Sequence, residues 1–370
     1  MKYCKKCVQP DTRPNIRFDE QGVWPACRYI ETLPQVDWEA RHVVLKDLVA
    51  RTQVNNRSGY DCLIGVSGGK DSTRQAMYAR DVLGLKPLLV CCTYPPEQLT
   101  ERGAHNLSNL ISLGFDTIIV HPDPVVWKHL MRRGFLEHGN WAKSTETALY
   151  ATIPRMGIAY QIPLAFLGEN PATHFGELGT GSLTWDANQF KNTNTIKGGH
   201  SIWVGDGVSE QNLVPYQFPT DEEMLWANIQ VAYLGYFISD FTKFDNGAFA
   251  VKHGLEERTD TPEERGALHA FESLDEDFVV VNQMIKYLKY GFGKVTDEVS
   301  ELLGHGHITR VEGLDLVYST TANASPEYIK RFCDYIDITE EKFWEVAESY
   351  RNKDIFEKVG GGWQLKSTYV

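Results

Sequence analysis

The sequence has no excess of positive charge. Its 37 Lys and Arg residues stand against 49 Asp and Glu residues, which gives a formal net charge of −12. Proteins that bind the phosphodiester backbone must replace condensed counterions with Lys and Arg, so they usually carry a basic excess. The acidic balance therefore disfavours a nucleic-acid partner, although it leaves room for a local basic patch.

Long hydrophobic runs are missing as well. No stretch approaches the roughly 18 consecutive apolar residues that indicate a membrane-spanning helix. Residues 1–30 carry charges throughout and lack the apolar segment of a secretory signal. We therefore expect no membrane span and no signal peptide, and the expected location is the cytoplasm.

Cysteine is scarce and odd in number. The seven cysteines are Cys4, Cys7, Cys27, Cys62, Cys91, Cys92 and Cys333. An odd number in a chain expected in the cytoplasm argues against a disulfide framework. The last four lie on apolar, strand-like or helical patterns, so we interpret them as buried. A glutaminase needs an activated cysteine with a base beside it, and no cysteine here fits that description.

Four short apolar runs alternate with helical patterns along the first half of the chain. Strands are predicted in DCLIGV (61–66), PLLVCC (87–92), TIIV (117–120) and IPLAFLG (162–168). This alternation predicts an α/β fold with a parallel sheet covered by helices on both faces. After about residue 265 the patterns are helical. We predict a Cys-bearing lobe (1–40), an α/β domain (41–250) and a helical C-terminal region (251–370).

A glycine-rich loop follows the first predicted strand. It reads Ser67-Gly68-Gly69-Lys70-Asp71-Ser72 and leads into a predicted helix. Adjacent glycines let an oxyanion approach the backbone amides, and the helix N-terminus adds its own N–H groups. The spacing is not that of the Walker loop or of G-x-G-x-x-G. It resembles the SGG-x-DS loop of the ATP pyrophosphatase (PP-loop) superfamily, whose members split ATP between the α and β phosphates.

The same loop offers residues for catalysis and for a metal. Ser67, Lys70 and Asp71 are the catalytic candidates, and Asp71 is the candidate Mg²⁺ ligand because magnesium prefers carboxylates together with phosphate oxygens. An alternative for Asp71 is a first-turn acid that interacts only with the helix dipole. The whole loop, with Ser72, is expected to bind the pyrophosphate of ATP.

Three cysteines near the start have the spacing of part of a zinc site. Cys4 and Cys7 form a C-x-x-C pair, and Cys27 follows later. A zinc ribbon would require a further cysteine at position 24, which is Trp24. Either the fourth ligand comes from elsewhere, or water completes the site, or the metal has been lost and only the shape of the lobe remains.

Six stretches resemble the N-acetyl sugar amidotransferases of bacterial surface-polysaccharide (O-antigen) biosynthesis. They are YCKKCVQPDTRPNIRFDEQGV, GVSGGKDST, LGENP, KYLKYGFGKVTDEV, GHGHITRVEGLDLV and ITEEKFWEVAESYRNKDIFEK. The resemblance implies a Rossmann-like sheet of the PP-loop type. It also implies ATP-dependent conversion of an acetamido group on a UDP-linked diacetamido uronic acid into an acetamidino group. Ammonia would come from a separate glutaminase subunit. Trp24 departs from the family pattern.

The remaining candidates follow from position and from the resemblance. Gly168, Glu169 and Asn170 follow the fourth strand and are expected at the nucleotide and substrate. Cys91 and Thr93, at the end of the second strand, are expected near adenine. Lys289, Lys294 and Arg310 are candidate ligands of the anionic substrate. His305 and His307 are two residues apart, a spacing that metal ligands sometimes have. Because no third ligand is clear, we interpret both histidines as structural.

Two other functions fit parts of the sequence. A tRNA-modifying PP-loop enzyme would share the loop and the Cys-bearing lobe, although the acidic balance disfavours it. A nucleotide-sensing scaffold for a glutaminase would bind ATP without forming AMP. The role of the Gly- and Asn-rich segment 171–200 stays open at this point.

Overall fold

The structure is a computed structural model of the chain. It describes residues 1–54, 56–174, 185–188, 196–320 and 324–366, and much of the Gly- and Asn-rich segment 171–200 lies outside the described residues. Within these ranges, none of the helices has both the length and the apolar character needed to cross a bilayer.

A five-stranded sheet forms the centre of the molecule. Its strands are β1 (Cys62–Gly65), β2 (Pro87–Cys92), β3 (Thr117–Val120), β4 (Leu164–Leu167) and β5 (Gln230–Tyr233). Their spatial order is β3-β2-β1-β4-β5, and every pair is parallel. Leu63 of β1, for example, lies opposite Leu88 on one side and Ala165 on the other. The predicted parallel α/β fold is confirmed.

Helices occupy both faces of the sheet and most of the remaining chain. They are α1 (Pro25–Thr32), α2 (Trp38–Gln53), α3 (Lys70–Met77), α4 (Glu101–Ser112), α5 (Pro124–His138), α6 (Ala142–Tyr160), α7 (Pro171–His174), α8 (Asp221–Trp226), α9 (Lys243–Lys252), α10 (Pro262–Arg265), α11 (Val279–Tyr290), α12 (Lys294–Gly304), α13 (Arg310–Ser319), α14 (Pro326–Ile336) and α15 (Glu340–Tyr350). A π-helical turn, Tyr78–Val82, extends α3. A hairpin of β6 (Phe356–Val359) and β7 (Gly362–Leu365) lies near the C-terminal end.

Strands β1, β2, β4 and β5 are largely buried on both faces, as expected for a parallel sheet, whereas the edge strand β3 is partly exposed. One face packs with residues of α2, α3 and α4 in a cluster that includes Leu45, Ile64 and Leu110. The other face packs with residues of α6 in a cluster that includes Leu63, Ile153 and Ala165. Because both faces are covered, bound ligands can reach the sheet only at the ends of its strands.

A separate core holds the helical region together. Aromatic side chains from α5, α14 and α15 meet there: Phe135 lies 5.3 Å from Phe332 and 5.2 Å from Phe343, measured between ring centroids. Elsewhere α9 packs along α3, and α1 and α12 both contact α7. The C-terminal region and the N-terminal lobe therefore both reach the elements that follow β1 and β4.

The sequence patterns predicted most of the helices and strands, but not those without a clear local pattern of apolar residues. All four predicted strands are confirmed, and the chain after residue 265 is mainly helical, as predicted. β5, α1 and the β6–β7 hairpin were not predicted. β5 is only four residues long, and α1, only eight residues long, lies in the lobe that was singled out for its cysteines alone.

Candidate functional site: the glycine loop at the switch point of the sheet

The strand order reverses between β1 and β4, because the chain passes outward through β2 and β3 before it returns beside β1. In parallel α/β sheets, ligands bind in the crevice outside the carboxyl ends of the strands at such a switch point. The loop that follows β1 and the segment 168–170 that follows β4 both lie at this crevice. The topology thus brings together two segments that were singled out separately in the sequence.

Gly68 shapes the loop. Its φ of +86° lies in the left-handed region, and a Cβ atom there would come within 2.6 Å of the Leu107 backbone nitrogen. The loop is closed by side chains: the Ser67 amide donates to Ser72 Oγ at 2.9 Å, and the Gly69 amide donates to Ser67 Oγ at 3.4 Å. The backbone is therefore fixed with the N-terminus of α3 behind it, which is a favourable arrangement for an anion.

Lys70 and Asp71 form the charged part of the loop. Lys70 is 6% exposed, and its Nζ lies 3.0 Å from Asp71 Oδ2. Asn246 of α9 donates to the other Asp71 oxygen at 2.8 Å. Burial by itself would lower the pKa of Lys70, but the carboxylates of Asp71 and Glu272 outweigh it and raise the pKa. Lys70 is thus a permanent cation beneath the loop.

Glu272 joins Lys70 to Lys294, which is the first residue of α12. Its two carboxylate oxygens lie 2.8 Å from Lys70 Nζ and 2.6 Å from Lys294 Nζ. Burial would raise the pKa of Glu272, but Lys294, Lys70 and Lys243 hold it well below the usual value. Both lysines are candidates from the sequence, but their common partner is not, because nothing local to Glu272 indicates that it lies beside the loop.

An open cleft of about 420 Å³ separates the loop from residues 271–275. Ser67, Lys70 and Asp71 line one side of it, and Ser273 and Asp275 line the opposite side. Much of this volume is open to solvent, and the enclosed part, about 100 Å³, is smaller than a typical small-molecule site. The loop is therefore accessible from solvent, and the enclosed part of the cleft has room for a small anionic group beside it.

The far wall of this cleft is rigid. Ser273 has a left-handed φ of +53°, and the buried Arg258 donates to its carbonyl at 2.8 Å. The Thr100 amide donates to the Asp275 carbonyl at 3.0 Å, and a Cβ atom on Gly103 would lie 2.5 Å from Asp275 Cα. A strained residue held by its surroundings is typical of a functional site. Neither Ser273 nor Asp275 had been singled out in the sequence.

The segment after β4 lies directly against α3. A Cβ atom on Gly168 would lie 2.2 Å from Gln75 Nε2 and 3.3 Å from Asp71 Cβ. Glu169 Oε2 and Asn170 Oδ1 are buried and have no hydrogen-bond partner among the described residues. Burial raises the pKa of Glu169, and the nearby Asp71 raises it further. Unpaired buried oxygens beside the loop are the feature expected where a ligand supplies the missing donors.

The other predicted site residues are dispersed. Cys91 is buried within β2, and Thr93 directly follows that strand. Lys289 donates from Nζ to the His138 carbonyl at 2.8 Å. Arg310 is the first residue of α13, and it is not among the residues that line the cleft. The roles of these four residues in binding remain predictions.

The three N-terminal cysteines form a compact group. Possible ligand atoms of Cys4, Cys7 and Cys27 all lie within 4.8 Å of one another, and the Cys4 and Cys27 sulfurs are 3.8 Å apart. Thiolates around a tetrahedral zinc at about 2.3 Å are separated by about 3.8 Å, so the sulfurs fit this ion. Hydrogen bonds from Cys27 and Cys7 lower the pKa of Cys4. The donor set therefore suits a thiolate-bound metal.

Trp24 stands where a fourth ligand was expected. Its side chain is 4% exposed and packs in the same cluster as the cysteines, and its backbone amide donates to Cys4 Sγ at 3.2 Å. The Lys6 amide donates to the same sulfur at 3.4 Å. Amide donors stabilise a thiolate, so Trp24 supports the cluster through its backbone although it offers no ligand atom.

The three solved structures compared with the chain are distant in sequence. An NH3-dependent NAD synthetase from Campylobacter jejuni subsp. jejuni NCTC 11168 is 14% identical, with a TM-score of 0.29, and the match covers 40% of this chain and 62% of that chain. NMN synthetase from Francisella tularensis is 11% identical, with a TM-score of 0.33, and the match covers 83% of this chain and 96% of that chain. The U34-tRNA thiolase NcsA from Methanococcus maripaludis is 14% identical, with a TM-score of 0.28, and the match covers 83% of this chain and 87% of that chain. The match thus spans less than two thirds of the NAD synthetase. At these TM-scores the similarities support no functional conclusion.

No curated protein matches the sequence. A family model does match its C-terminal part: residues 239–369 fit the family described as "LPS biosynthesis protein WbpG-like, C-terminal domain". This stretch contains Asn246, Glu272 and Asp275, which form the side of the site opposite the loop. The resemblance to surface-polysaccharide enzymes is thereby confirmed for that stretch. Over residues 239–369, this chain is therefore similar to the C-terminal domain of WbpG-like lipopolysaccharide biosynthesis proteins.

Proposed function

We propose that the protein is an ATP-dependent amidotransferase of lipopolysaccharide O-antigen biosynthesis. The observation that carries this proposal is the composition of the cleft. A fixed glycine loop with a buried lysine forms one side, and a stretch from the lipopolysaccharide-biosynthesis domain forms the other. The substrate would be a UDP-linked diacetamido uronic acid, and the products would be the acetamidino sugar, AMP and pyrophosphate.

In this reaction the acetamido oxygen attacks the α-phosphate of ATP, and pyrophosphate leaves with the electrons of the broken P–O bond. The loop amides and Lys70 stabilise the charge that develops on the departing pyrophosphate. Magnesium, where bound, would neutralise further phosphate charge, and Asp71 is the residue that would hold it.

Ammonia completes the reaction. Its lone pair forms the new C–N bond, the C–O bond to AMP breaks, and one proton is lost as the amidinium product forms. Adenylation is needed first, because an amide oxygen is a poor leaving group and a phosphate ester is a good one. Glu169 and Asn170 present unpaired oxygens beside the loop, and we assign them to the activated substrate.

A separate glutaminase would supply the ammonia. All seven cysteines of the chain are buried. Burial raises the pKa of Cys92 and of Cys333 to about 11, and it also raises those of Cys62 and Cys91. Thiols of this kind are poor nucleophiles, and the other three cysteines form the N-terminal cluster. These properties support an external source of ammonia.

The test is mass spectrometry of a UDP-linked diacetamido uronic acid after incubation with the protein, ATP, Mg²⁺ and ammonium, with parallel measurement of AMP and pyrophosphate. We expect replacement of one acetamido oxygen by nitrogen, with one AMP formed per product. Asp71→Asn and Ser67→Ala should each reduce this turnover by about 100-fold or more while leaving the fold intact. ADP and orthophosphate as products, or near-normal turnover in either variant, would contradict the proposal.

A further inference from the structure

A second, smaller cavity lies behind the cleft, in the C-terminal part of the chain. Glu298, Glu301, His269, His305 and His307 contribute to its lining, and it has room for about one water-sized molecule. His307 is exposed, and Phe244 beside it is 47% exposed, so the opening of the cavity faces solvent. None of the functions assigned above uses this cavity.

Glu298 points to a ligand in the cavity. Its side chain is fully buried, and its Oε2 accepts from the Leu268 amide at 2.6 Å. Its Oε1 has no hydrogen-bond partner among the described residues. A buried carboxylate oxygen without a donor is destabilising, so a small donor molecule bound here would stabilise the site.

The polar groups of the lining are mainly acceptors. The carboxylates of Glu298 and Glu301 accept, and each neutral histidine ring offers one acceptor nitrogen. Lys243 lies 3.2 Å from Glu301, whereas Glu298 forms no ion pair among the described residues, and Lys294 and Lys243 act on its charge only from a greater distance. Among the described residues, only the N-terminal cysteines have ligand atoms close enough together to share a metal ion. The lining thus suits a small molecule with several N–H donors.

The cavity and the cleft share a wall. His269 lines the cavity and Phe271 lines the cleft, and their rings stack with centroids 4.8 Å apart and planes 12° apart. Glu272, which follows Phe271 in the chain, reaches Lys70 beneath the loop. One layer of side chains therefore separates the small cavity from the site of ATP chemistry.

We propose that this cavity receives the nitrogen substrate, as ammonium or ammonia, before it reaches the activated sugar. The inference rests on the proposed function. An ammonium ion bound at Glu298 gives one proton to the carboxylate and continues as neutral NH₃, which has the lone pair that the reaction needs, and the proton then returns to solvent. Separately, burial raises the pKa of Glu298 to about 7, which makes it a stronger base than a free carboxylate.

Kinetics with ammonium chloride as the nitrogen source test the role of Glu298. Glu298→Gln keeps an oxygen for the Leu268 amide but removes the negative charge. We expect KM for ammonium to rise by about tenfold or more, while sugar-dependent exchange of labelled pyrophosphate into ATP, which needs no ammonia, stays unchanged. Glu345→Gln, an exposed carboxylate on α15, is the matched control and should change neither quantity. An unchanged KM in Glu298→Gln would overturn the proposal.

Thermal unfolding tests the cavity without any assay of activity. Ammonium chloride should raise Tm of the wild-type protein above its value in equimolar sodium chloride or tetramethylammonium chloride, and Glu298→Gln should abolish the difference. Equal Tm values in the three salts would overturn the proposal, even if the variant failed to fold. A wild-type protein without pyrophosphate exchange would count against the proposed function, whereas the Tm comparison would still decide on the cavity.

Discussion

Lys70 and Glu272 form a buried ion pair with 2.8 Å between Nζ and Oε1. Lys70 belongs to the glycine loop, and Glu272 belongs to the stretch that matches the lipopolysaccharide-biosynthesis domain. Each of the two side chains is 8% exposed, so the pair is well shielded from solvent. The loop that would bind ATP is therefore held in place by the region that we expect to select the sugar.

Removal of the shared carboxylate should destabilise the protein. Glu272→Gln leaves the buried Lys70 and the half-buried Lys294 without their common counter-charge. Breaking a buried ion pair in this way costs about 3–5 kcal/mol, which chemical denaturation should show as a lower free energy of unfolding. The control, Glu345→Gln, breaks an exposed pair with Lys342 and should cost at most about 1 kcal/mol.

A second substitution shows whether Glu272→Gln loses stability because the charges are no longer balanced or because the shape of the side chain has changed. Adding Lys294→Met to Glu272→Gln removes one of the two stranded cations, and Lys70 keeps Asp71 as its partner. We expect the double variant to regain part of the lost stability. A double variant that is less stable than Glu272→Gln by the full cost of Lys294→Met alone would contradict the interpretation.

The loop should tolerate no side chain at Gly68. Gly68→Ala introduces a Cβ atom 2.6 Å from the Leu107 nitrogen at a φ of +86°. We expect a loss of about 2–4 kcal/mol in unfolding free energy together with most of the pyrophosphate-forming activity. Gly84→Ala is the control, because Gly84 also has a positive φ, of +67°, but has open space around its Cα. It should lose about 1 kcal/mol and keep full activity.

Protonation of Asp275, on the far wall of the cleft, should make the free energy of unfolding depend on pH. Burial raises the pKa of Asp275 to about 6. The folded protein therefore keeps this proton when the unfolded chain has already released it, and the stability contributed by Asp275 falls as pH rises from about 4 to about 6. Asp275→Asn should remove this pH dependence and raise the free energy of unfolding at pH 7 by about 1–2 kcal/mol relative to wild type.

Other groups act near the same pH range, so the comparison of variants is essential. Burial raises the pKa of Glu276 to about 8 and that of Glu298 to about 7, effects of the same sign, whereas burial lowers that of His269 to about 4, which makes stability rise with pH. Denaturation curves at several pH values, measured for wild type, Asp275→Asn and the exposed control Asp354→Asn, isolate the contribution of Asp275. Identical pH profiles for wild type and Asp275→Asn would contradict the assignment.

The cysteine cluster should bind one zinc ion. We expect about one equivalent of zinc in the native protein by elemental analysis, and a lower Tm after treatment with a chelator, because metal binding is coupled to folding of such lobes. Cys4→Ser should lower the zinc content and make Tm insensitive to the chelator. Metal-free native protein with the same Tm in the presence and absence of chelator would show that Trp24 and its neighbours stabilise the lobe by packing alone.

The local part of the site could be predicted from the sequence because each of its signals acts over a few residues. An apolar run, two glycines and a helix start are contiguous from Cys62 to Met77, and the structure has β1, the loop and α3 there. The segment 168–170 was found in the same way at the end of β4. Its position beside the loop followed from the parallel sheet, because the carboxyl ends of parallel strands meet at one edge.

The opposite side of the site could not be predicted from local patterns. Asn246, Glu272 and Asp275 lie in segments whose composition suits solvated turns or helix faces, and only folding brings them to Asp71, Lys70 and the cleft. The cavity at Glu298 could not be predicted either, because in the sequence Glu298 is one more acidic residue of an amphipathic helix. Burial and partners are properties of the packed chain, and these decide the charge and chemistry of such groups.

The sequence by itself therefore determined the strand–loop–helix unit, the cysteine spacing and the acidic balance, since these depend only on residue type and neighbours along the chain. Tertiary structure alone decided which carboxylates face Lys70, which oxygens are left without donors, and that a second cavity lies one side-chain layer from the first. The physical reason is that ion pairs and cavities form between residues far apart in the chain, where no sequence periodicity links the partners.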